Sequence, residues 1–473
     1  MTGTRRRLDD TLGEVLARRK TLNRLRKLSN TPANFIDFSS NGYLSLSTNP
    51  EIQKSLLSRL QAEVATSEDS NGSRNARRSL LGSGGSRLLD GNSPFAESLE
   101  AKIASFHGAE AALLFTSAYD ANTGLLGSVP QPGDVILYDE LIHASVHDGM
   151  RMSRATRRIP FAHSSISEAQ QGRVANTKES RAASGSKNQG LDHVLRELAK
   201  DERVTNCQAN VFICVEGLYS MDGDTILLKE IVETVDRYLP SGNGYVIVDE
   251  AHSVGVFGKD GRGLVCQLGL EDRIWARVLG FGKAMGCAGG VVLCSSITRS
   301  YLINYARSLI YTTSMTFTSL ASIDVVYDFL ISGQSEPLRR HLETLIYYTR
   351  HQLHTLYTRL KPNRDTLYVE QTTLKSPIIP ILTASPRSLA EHCQRFGFMV
   401  RPIVSPTVPL GSERVRVCLH YSNTKEQVDE LCSVIEVWVK SQMAEVMPQE
   451  NTESHKKVTE ITDGFIKEDK PRL

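Results

Sequence analysis

Five short apolar runs constrain this chain more than any other feature: AALLFTS from Ala111, DVILYD from Asp134, NVFICVEG from Asn210, GYVIVDEAH from Gly244 and GGVVLCS from Gly289. None alternates strictly between apolar and polar residues, the pattern of strands buried on both faces. Helical stretches such as PFAESLEAKIASF and LKEIVETVDRYL lie between them. Such alternation implies an α/β fold: a mainly parallel sheet flanked by helices. In sheets of this kind functional groups collect beyond the carboxyl ends of the strands. Glu216, Asp249, His252 and Lys283 all follow strand-like runs, so they are expected to converge there.

The chain has 473 residues, 40% of them hydrophobic, ample for a large core and a smaller lobe. We expect an N-terminal helix and extended segment over residues 1–48 and a large domain over 49–325. A smaller C-terminal α/β domain follows over 326–440, and then a disordered tail over 441–473. Within residues 11–28, Leu12, Val15, Leu16, Leu22, Leu25 and Leu28 recur at helical spacing, predicting a basic amphipathic helix that packs on the body or on a partner subunit. Residues 167–190, polar and Gly/Ser-rich, read as a surface-loop insertion.

A formal net charge of +2 gives no strong field to attract nucleic acid or a membrane surface. The eight cysteines show no C-x-x-C, which argues for reduced thiols and against a disulfide framework or a metal site. No apolar run approaches the roughly 20 residues of a membrane span. The N-terminal arginines are followed at once by Asp9, Asp10 and Glu14, unlike a secretory or mitochondrial leader. The last residues, Pro471-Arg472-Leu473, are similar to C-terminal peroxisomal addresses, so the expected location is peroxisomal or cytoplasmic.

VLGFGKAMGCAGG, residues 278–290, sets one lysine, Lys283, among five glycines with no other charge nearby. A phosphate-binding P-loop would need Ser or Thr after the lysine and a glycine where Arg277 stands. A dinucleotide fingerprint is missed by one residue, because Gly286 comes one position late. The remaining reading is a lysine that bonds covalently to a carbonyl cofactor, its pKa lowered by desolvation. Pyridoxal phosphate (PLP) would then need a carboxylate to keep its ring nitrogen protonated, a flat group on the ring and donors for its phosphate. Asp249 ends a strand-like run, with His252 beyond it; LYDELIHASVHDG supplies His143, and FTSAYDAN leads small and hydroxyl residues into a helix start.

Together and in this order the motifs resemble the α-oxoamine synthases, PLP-dependent enzymes of fold type I. The resemblance rests on FSSNGYLSLS, GSGGSRLLDG, LLFTSAYDAN, HASVHDGMRMSR, EGLYSMDGD, VDEAHSVGVFGKDGRG, GFGKAMGCAGG, ARSLIYTTSM and RPIVSPTVPLGSERVRV, within residues 10–440. It implies that Lys283 holds PLP covalently, that Asp249 pairs with the ring nitrogen and that His143 stacks on the ring. His252 and Ser220 would contact the phenolic oxygen, and Ser117, Ala118 and Tyr119 the phosphate. It also implies a homodimer with the active site at the interface, where Thr312 and Thr313 from the neighbouring copy add phosphate contacts. Asn41 and Arg416 would hold a substrate carboxylate. The implied substrates are an amino acid and an acyl-CoA.

EGLYSMDGD with ARSLIYTTSM is most similar to the biotin-pathway branch of the family, which uses L-alanine and a pimeloyl thioester. The competing readings are a serine palmitoyltransferase-like or polyketide-offloading branch, or a non-catalytic partner subunit. Three positions depart from the family's pattern: Gly280 where a Ser or Thr is common, Ala96 where a His is usual, and Asn423-Thr424 for a His-Thr pair.

Overall fold

The computed structural model describes residues 2–22, 24–28, 30–69, 80–166, 188–370 and 375–446. All five apolar runs are strands. They belong to a seven-stranded sheet built from β2 (Ala111–Phe115), β3 (Val135–Asp139), β4 (Arg157–Phe161), β5 (Val211–Glu216), β6 (Gly244–Asp249), β7 (Ala276–Gly280) and β8 (Gly290–Cys294), in the order β2-β8-β7-β6-β5-β3-β4. Every pairing is parallel except those of β8, which runs antiparallel to both β2 and β7.

Side chains on a strand alternate between faces, and here each face has its own core. Val211, Ile213 and Val215 of β5 pack with the helices Leu191–Leu198 and Leu228–Tyr238 on one side. Phe212 and Cys214 pack on the other with Ala121, Leu125 and Leu126 of α4 (Ala118–Ser128) and with Val146 and Met150 of α5 (Ala144–Met152). Burial on both faces is why these strands read as continuous apolar runs.

β4 is the sheet's edge strand. Its first two residues are exposed and it contains Pro160, which an edge tolerates because a missing N–H there breaks no interior ladder. A second, antiparallel sheet joins β11 (Arg401–Ile403), β12 (Arg414–Cys418) and β9 (Ile378–Leu382), while β1 (Ile36–Asp37) pairs in parallel with β10 (Phe398–Met399). That pairing, with the Cys418 N–H donating to the Phe38 carbonyl at 2.8 Å, brings the N-terminal segment against the C-terminal sheet.

Two expectations need correction. The N-terminal helix, α1, runs Thr2–Thr21 and not over 11–28; Leu25 and Leu28 lie beyond it. Arg18, Arg19 and Lys20 fill its last turn, where the helix dipole favours cations. Leu8, Leu12, Val15 and Leu16 are each more than half exposed, so in one chain this face does not pack on the body. At the other end, the final helix continues to Val446, through the first residues expected to be disordered. Most of the expected insertion (167–187), the rest of the expected tail and Pro471-Arg472-Leu473 lie outside the described residues. Among the described residues no helix is long and apolar enough to cross a membrane.

Candidate active site

The carboxyl ends of the parallel strands deliver the site. β5 ends on Glu216 and β6 on Asp249, and the two residues are register partners on adjacent strands. β7 ends at Gly280, and Lys283 follows in a tight turn closed by the Gly286 N–H donating to the Lys283 carbonyl at 2.9 Å. Gly286 adopts φ +66°, and a Cβ there would lie 2.6 Å from the Ser47 backbone nitrogen. Only glycine fits that left-handed, crowded position.

Lys283 is half-buried. Desolvation lowers its pKa, reinforced by Arg416 and opposed by Asp249 and Glu216. Asp249 is buried; its carboxylate accepts from Ala251 N–H at 2.9 Å and from the Asn122 amide at 2.7 Å. Glu216 is buried beside it, and both burial and the Asp249 charge push its carboxyl well above the usual range. Burial and the neighbouring charge thus disfavour ionisation of Glu216, which the nearby Lys283 partly opposes.

His143 caps the N-terminus of α5 and is exposed. Its Nδ1 accepts from the Ser145 N–H at 3.2 Å and lies 2.8 Å from Ser145 Oγ. A ring nitrogen that accepts a backbone N–H carries no proton, so a neutral ring holds its hydrogen on Nε2. Desolvation and the Lys283 charge lower its pKa, against Asp249. The Asn122 amide also donates to Ser145 Oγ at 3.0 Å, which completes a chain His143–Ser145–Asn122–Asp249. Asn122 and Ser145 were not singled out from the sequence. The available signal was a polar residue on the apolar face of each helix, where a buried polar group must find a partner.

His252 is buried, and desolvation, then Lys283, Arg416 and His143, hold its pKa well below the ordinary value. Its Nδ1 lies 2.8 Å from the Tyr43 hydroxyl, which also donates to Asn41 Oδ1 at 3.3 Å. Arg416, on β12, reaches the same region. Its Nη1 donates to the Ser220 carbonyl at 3.0 Å and its Nη2 to the Ser39 carbonyl at 3.4 Å. Among the described residues this buried guanidinium has no carboxylate partner, and its Nε has no acceptor. Buried charges are ordinarily paired, so Arg416 is poised for an anion brought by a ligand.

Ser117 spends its hydroxyl on capping α4: Oγ accepts from Asp120 N–H at 3.0 Å and donates to Asp120 Oδ2 at 2.7 Å. That leaves the backbone N–H groups of Ala118 and Tyr119 without an acceptor among the described residues. A Cβ on Gly290 would lie 2.4 Å from the Ala118 nitrogen, so glycine there lets β8 support this helix start. The Tyr119 hydroxyl turns away to donate to Asp148. Thr312 lines a small cavity with Thr116 and Ser314, while Thr313 is exposed. Neither hydrogen-bonds to the Lys283 group within one chain.

These residues fit PLP: a desolvated lysine, a buried carboxylate, a flat ring and helix N–H donors gather at the carboxyl ends of the parallel strands. Gly280 and Ala96 have structural explanations. A Cβ on Gly280 would lie 2.9 Å from Ala251 Cβ and 3.2 Å from Ala118 Cβ, and Ala96 is buried in the first turn of α3 (Pro94–His107).

The aminotransferase class I and II family model matches residues 33–435. The 8-amino-7-oxononanoate synthase of Emericella nidulans is 48% identical over 433 residues, 91% of this chain and 96% of the relative. An aminoacyl transferase, sphA, of Aspergillus fumigatus is 35% identical over 409 residues, 85% of this chain and 80% of the relative. The fold is similar to that of Sphingomonas wittichii serine palmitoyltransferase, with a TM-score of 0.70 at 23% identity, covering 93% of this chain and 98% of that one. The chain therefore belongs to the PLP-dependent aminotransferase class I and II family, among its α-oxoamine synthases.

Proposed function

We propose that the chain condenses L-alanine with pimeloyl-CoA to give 8-amino-7-oxononanoate, CO2 and coenzyme A, the reaction that the name of its 48%-identical relative describes. The observation that carries the substrate side is Arg416, a buried guanidinium held by two carbonyls and lacking a carboxylate. A guanidinium fork pairs with an amino acid's carboxylate in a fixed orientation. Asn41, tied through Tyr43 to His252, lies in the same arrangement.

PLP, when bound, supplies an electron sink that lets an amino acid's α-carbon lose its proton and attack a thioester. Lys283 holds the cofactor, and its depressed pKa suits it to take the α-proton as a general base. Asp249 keeps the cofactor's ring nitrogen cationic, with Asn122 fixing the carboxylate's direction. His143, oriented by Ser145, would lie against the ring. His252 and Ser220 would face the phenolic oxygen, and the Ala118 and Tyr119 N–H groups would hold the phosphate at the α4 N-terminus. In this reading a second copy brings Thr312 and Thr313 to the phosphate, so the working unit is a homodimer.

The test is an amino-acid panel on purified protein, following the absorption of the lysine-bound cofactor, with coenzyme A release as the second readout. Alanine gives the strongest shift, and alanine with pimeloyl-CoA the fastest thiol release. Preference for serine with a long-chain acyl-CoA overturns the reading.

A further inference from the structure

His163 stands outside the cluster around Lys283, at the carboxyl end of β4. Its Nδ1 lies 2.9 and 3.0 Å from the two carboxylate oxygens of Asp139, and its Nε2 lies 2.9 Å from Asp224 Oδ2. Each ring nitrogen therefore faces a carboxylate, an acceptor-only group when ionised, and the Ser164 hydroxyl 3.3 Å from Nε2 donates to the same Asp224 Oδ2 at 3.2 Å. A neutral imidazole has one N–H and would set a lone pair against one of them. The geometry calls for the doubly protonated ring.

What the two carboxylates anchor gives this ion triad its meaning. Asp139 is fully buried and ends β3; its Oδ1 also accepts from the Leu141 N–H at 2.9 Å, and the Ile142 N–H donates to its carbonyl at 3.0 Å. The next residue is His143. Asp224 closes the loop that carries Ser220: the Tyr219 N–H donates to its carbonyl at 3.0 Å, and the Gly223 N–H donates to the Tyr219 carbonyl at 2.9 Å. The Tyr219 ring stands edge-on to His163 at 4.5 Å. β12 grips the same loop, Arg416 through the Ser220 carbonyl and Arg414 through the Met221 carbonyl and Asp222. The loop is thus held by both His163 and the arginines.

We propose that His163 is a positioning residue: shared as an imidazolium by Asp139 and Asp224, it locks the segment leading to His143 to the Ser220 loop and so fixes the aim of Arg416 on the substrate carboxylate. The inference rests on the assignment of Arg416 made above.

The groups that set its charge come from every neighbouring element. Asp139 ends β3, and Glu140 accepts the His163 N–H at 3.0 Å. Tyr219 and Asp224 belong to the loop, Glu216 ends β5 and acts on Tyr219, and Glu370 is close enough to feel Asp224. The two aspartates outweigh desolvation and hold the pKa of His163 well above its ordinary value. A raised histidine pKa means that the clamp is complete below the unfolded value of about 6.5 and is lost only as pH rises through the higher folded value. Wild-type affinity for the amino acid is accordingly flat across neutral pH.

Asp224→Asn and His163→Gln in the PLP-loaded full chain test the proposal, read by amino-acid Kd from spectral titration between pH 6 and 9, KM against kcat, and melting temperature. Both variants keep the lysine-bound cofactor band. Asp224→Asn leaves the ring one carboxylate, so its affinity matches wild type at low pH and falls about tenfold as pH rises through neutrality. His163→Gln shows the weak affinity at every pH, in KM more than in kcat. Folded variants with a Kd within twofold of wild type throughout overturn the proposal. So does loss of cofactor or fold in both, which would assign His163 to stability. The comparison uses whichever amino acid the wild type binds, so a preference other than alanine overturns the proposed substrate and not the clamp.

Discussion

Asn122→Ala tests the least visible part of the site. Among the described residues the wild-type Asp249 carboxylate has two hydrogen-bond partners, Ala251 N–H at 2.9 Å and the Asn122 amide at 2.7 Å. The substitution removes the shorter one and the donor to Ser145 at 3.0 Å, leaving a buried carboxylate half-satisfied. Hydrogen bonds to charged groups contribute about 1.5–3 kcal/mol. If that energy is used in holding Asp249 to the cofactor's ring nitrogen, kcat falls roughly 10- to 100-fold at about 1.4 kcal/mol per decade. Asn122→Asp is the harsher partner experiment. It sets a second carboxylate at hydrogen-bonding distance from the first, so the pair shares a proton and the negative charge facing the ring nitrogen is diluted. Steady-state coenzyme A release gives kcat, the cofactor's dissociation constant reports its retention, and a thermal melt separates chemistry from unfolding. A folded Asn122→Ala protein with kcat and cofactor affinity within twofold of wild type would refute the chain from His143 to Asp249 and reduce Asn122 to packing.

Two further outcomes follow from the same geometry. The resemblance makes Ser or Thr common where Gly280 stands, and Gly280→Ser restores that hydroxyl, but the 2.9 Å approach to Ala251 Cβ makes it an overpacking change costing about 1–3 kcal/mol. Its melting temperature should drop without tighter cofactor binding, and Gly280→Ser with Ala251→Gly should recover; a stable single variant that grips PLP more tightly would show that the cleft yields. The pKa of His252 is held well below its ordinary value by burial, so the stability it contributes is present above about pH 6.5 and is lost as pH falls below that toward the lowered folded value. Melting temperature should therefore decline on the acid side, with a shallower slope in His252→Gln; an identical slope in the variant would show that His252 takes up no protons on unfolding.

The sequence revealed those parts of the fold whose burial leaves a composition signature. β2, β3, β5, β6 and β8 are covered on both faces, so both parities of each strand had to be apolar and the runs stood out. β4 carries no such signature. Its opening Arg157 and Arg158 are exposed, and its Pro160 argues against a central strand; both are marks of an edge. The end of α1 was misjudged for a related reason: leucine spacing continues past Thr21, but apolar periodicity signals a helix only where tertiary packing uses it, and here the helix face is exposed.

The same distinction decided which site residues could be found. Lys283 and Asp249 were legible because a charge next to a buried strand is anomalous and asks for a partner. Asn122 and Ser145 were not, because small polar residues in helices raise no such question until burial is known. His163 shows how one miss produced another. It occupies the same kind of position as Asp249, just beyond the carboxyl end of a parallel strand, and the rule that drew attention to Asp249 applies to it equally. With β4 unrecognised, His163 had no strand end to follow and was not singled out. Its two carboxylates come from β3 and from the SMDGD loop, 24 residues before it and 61 after it, a convergence that only the parallel register of β4 on β3 and β3 on β5 creates. Strand ends, once the sheet order is known, therefore locate charged partners that spacing along the chain leaves far apart.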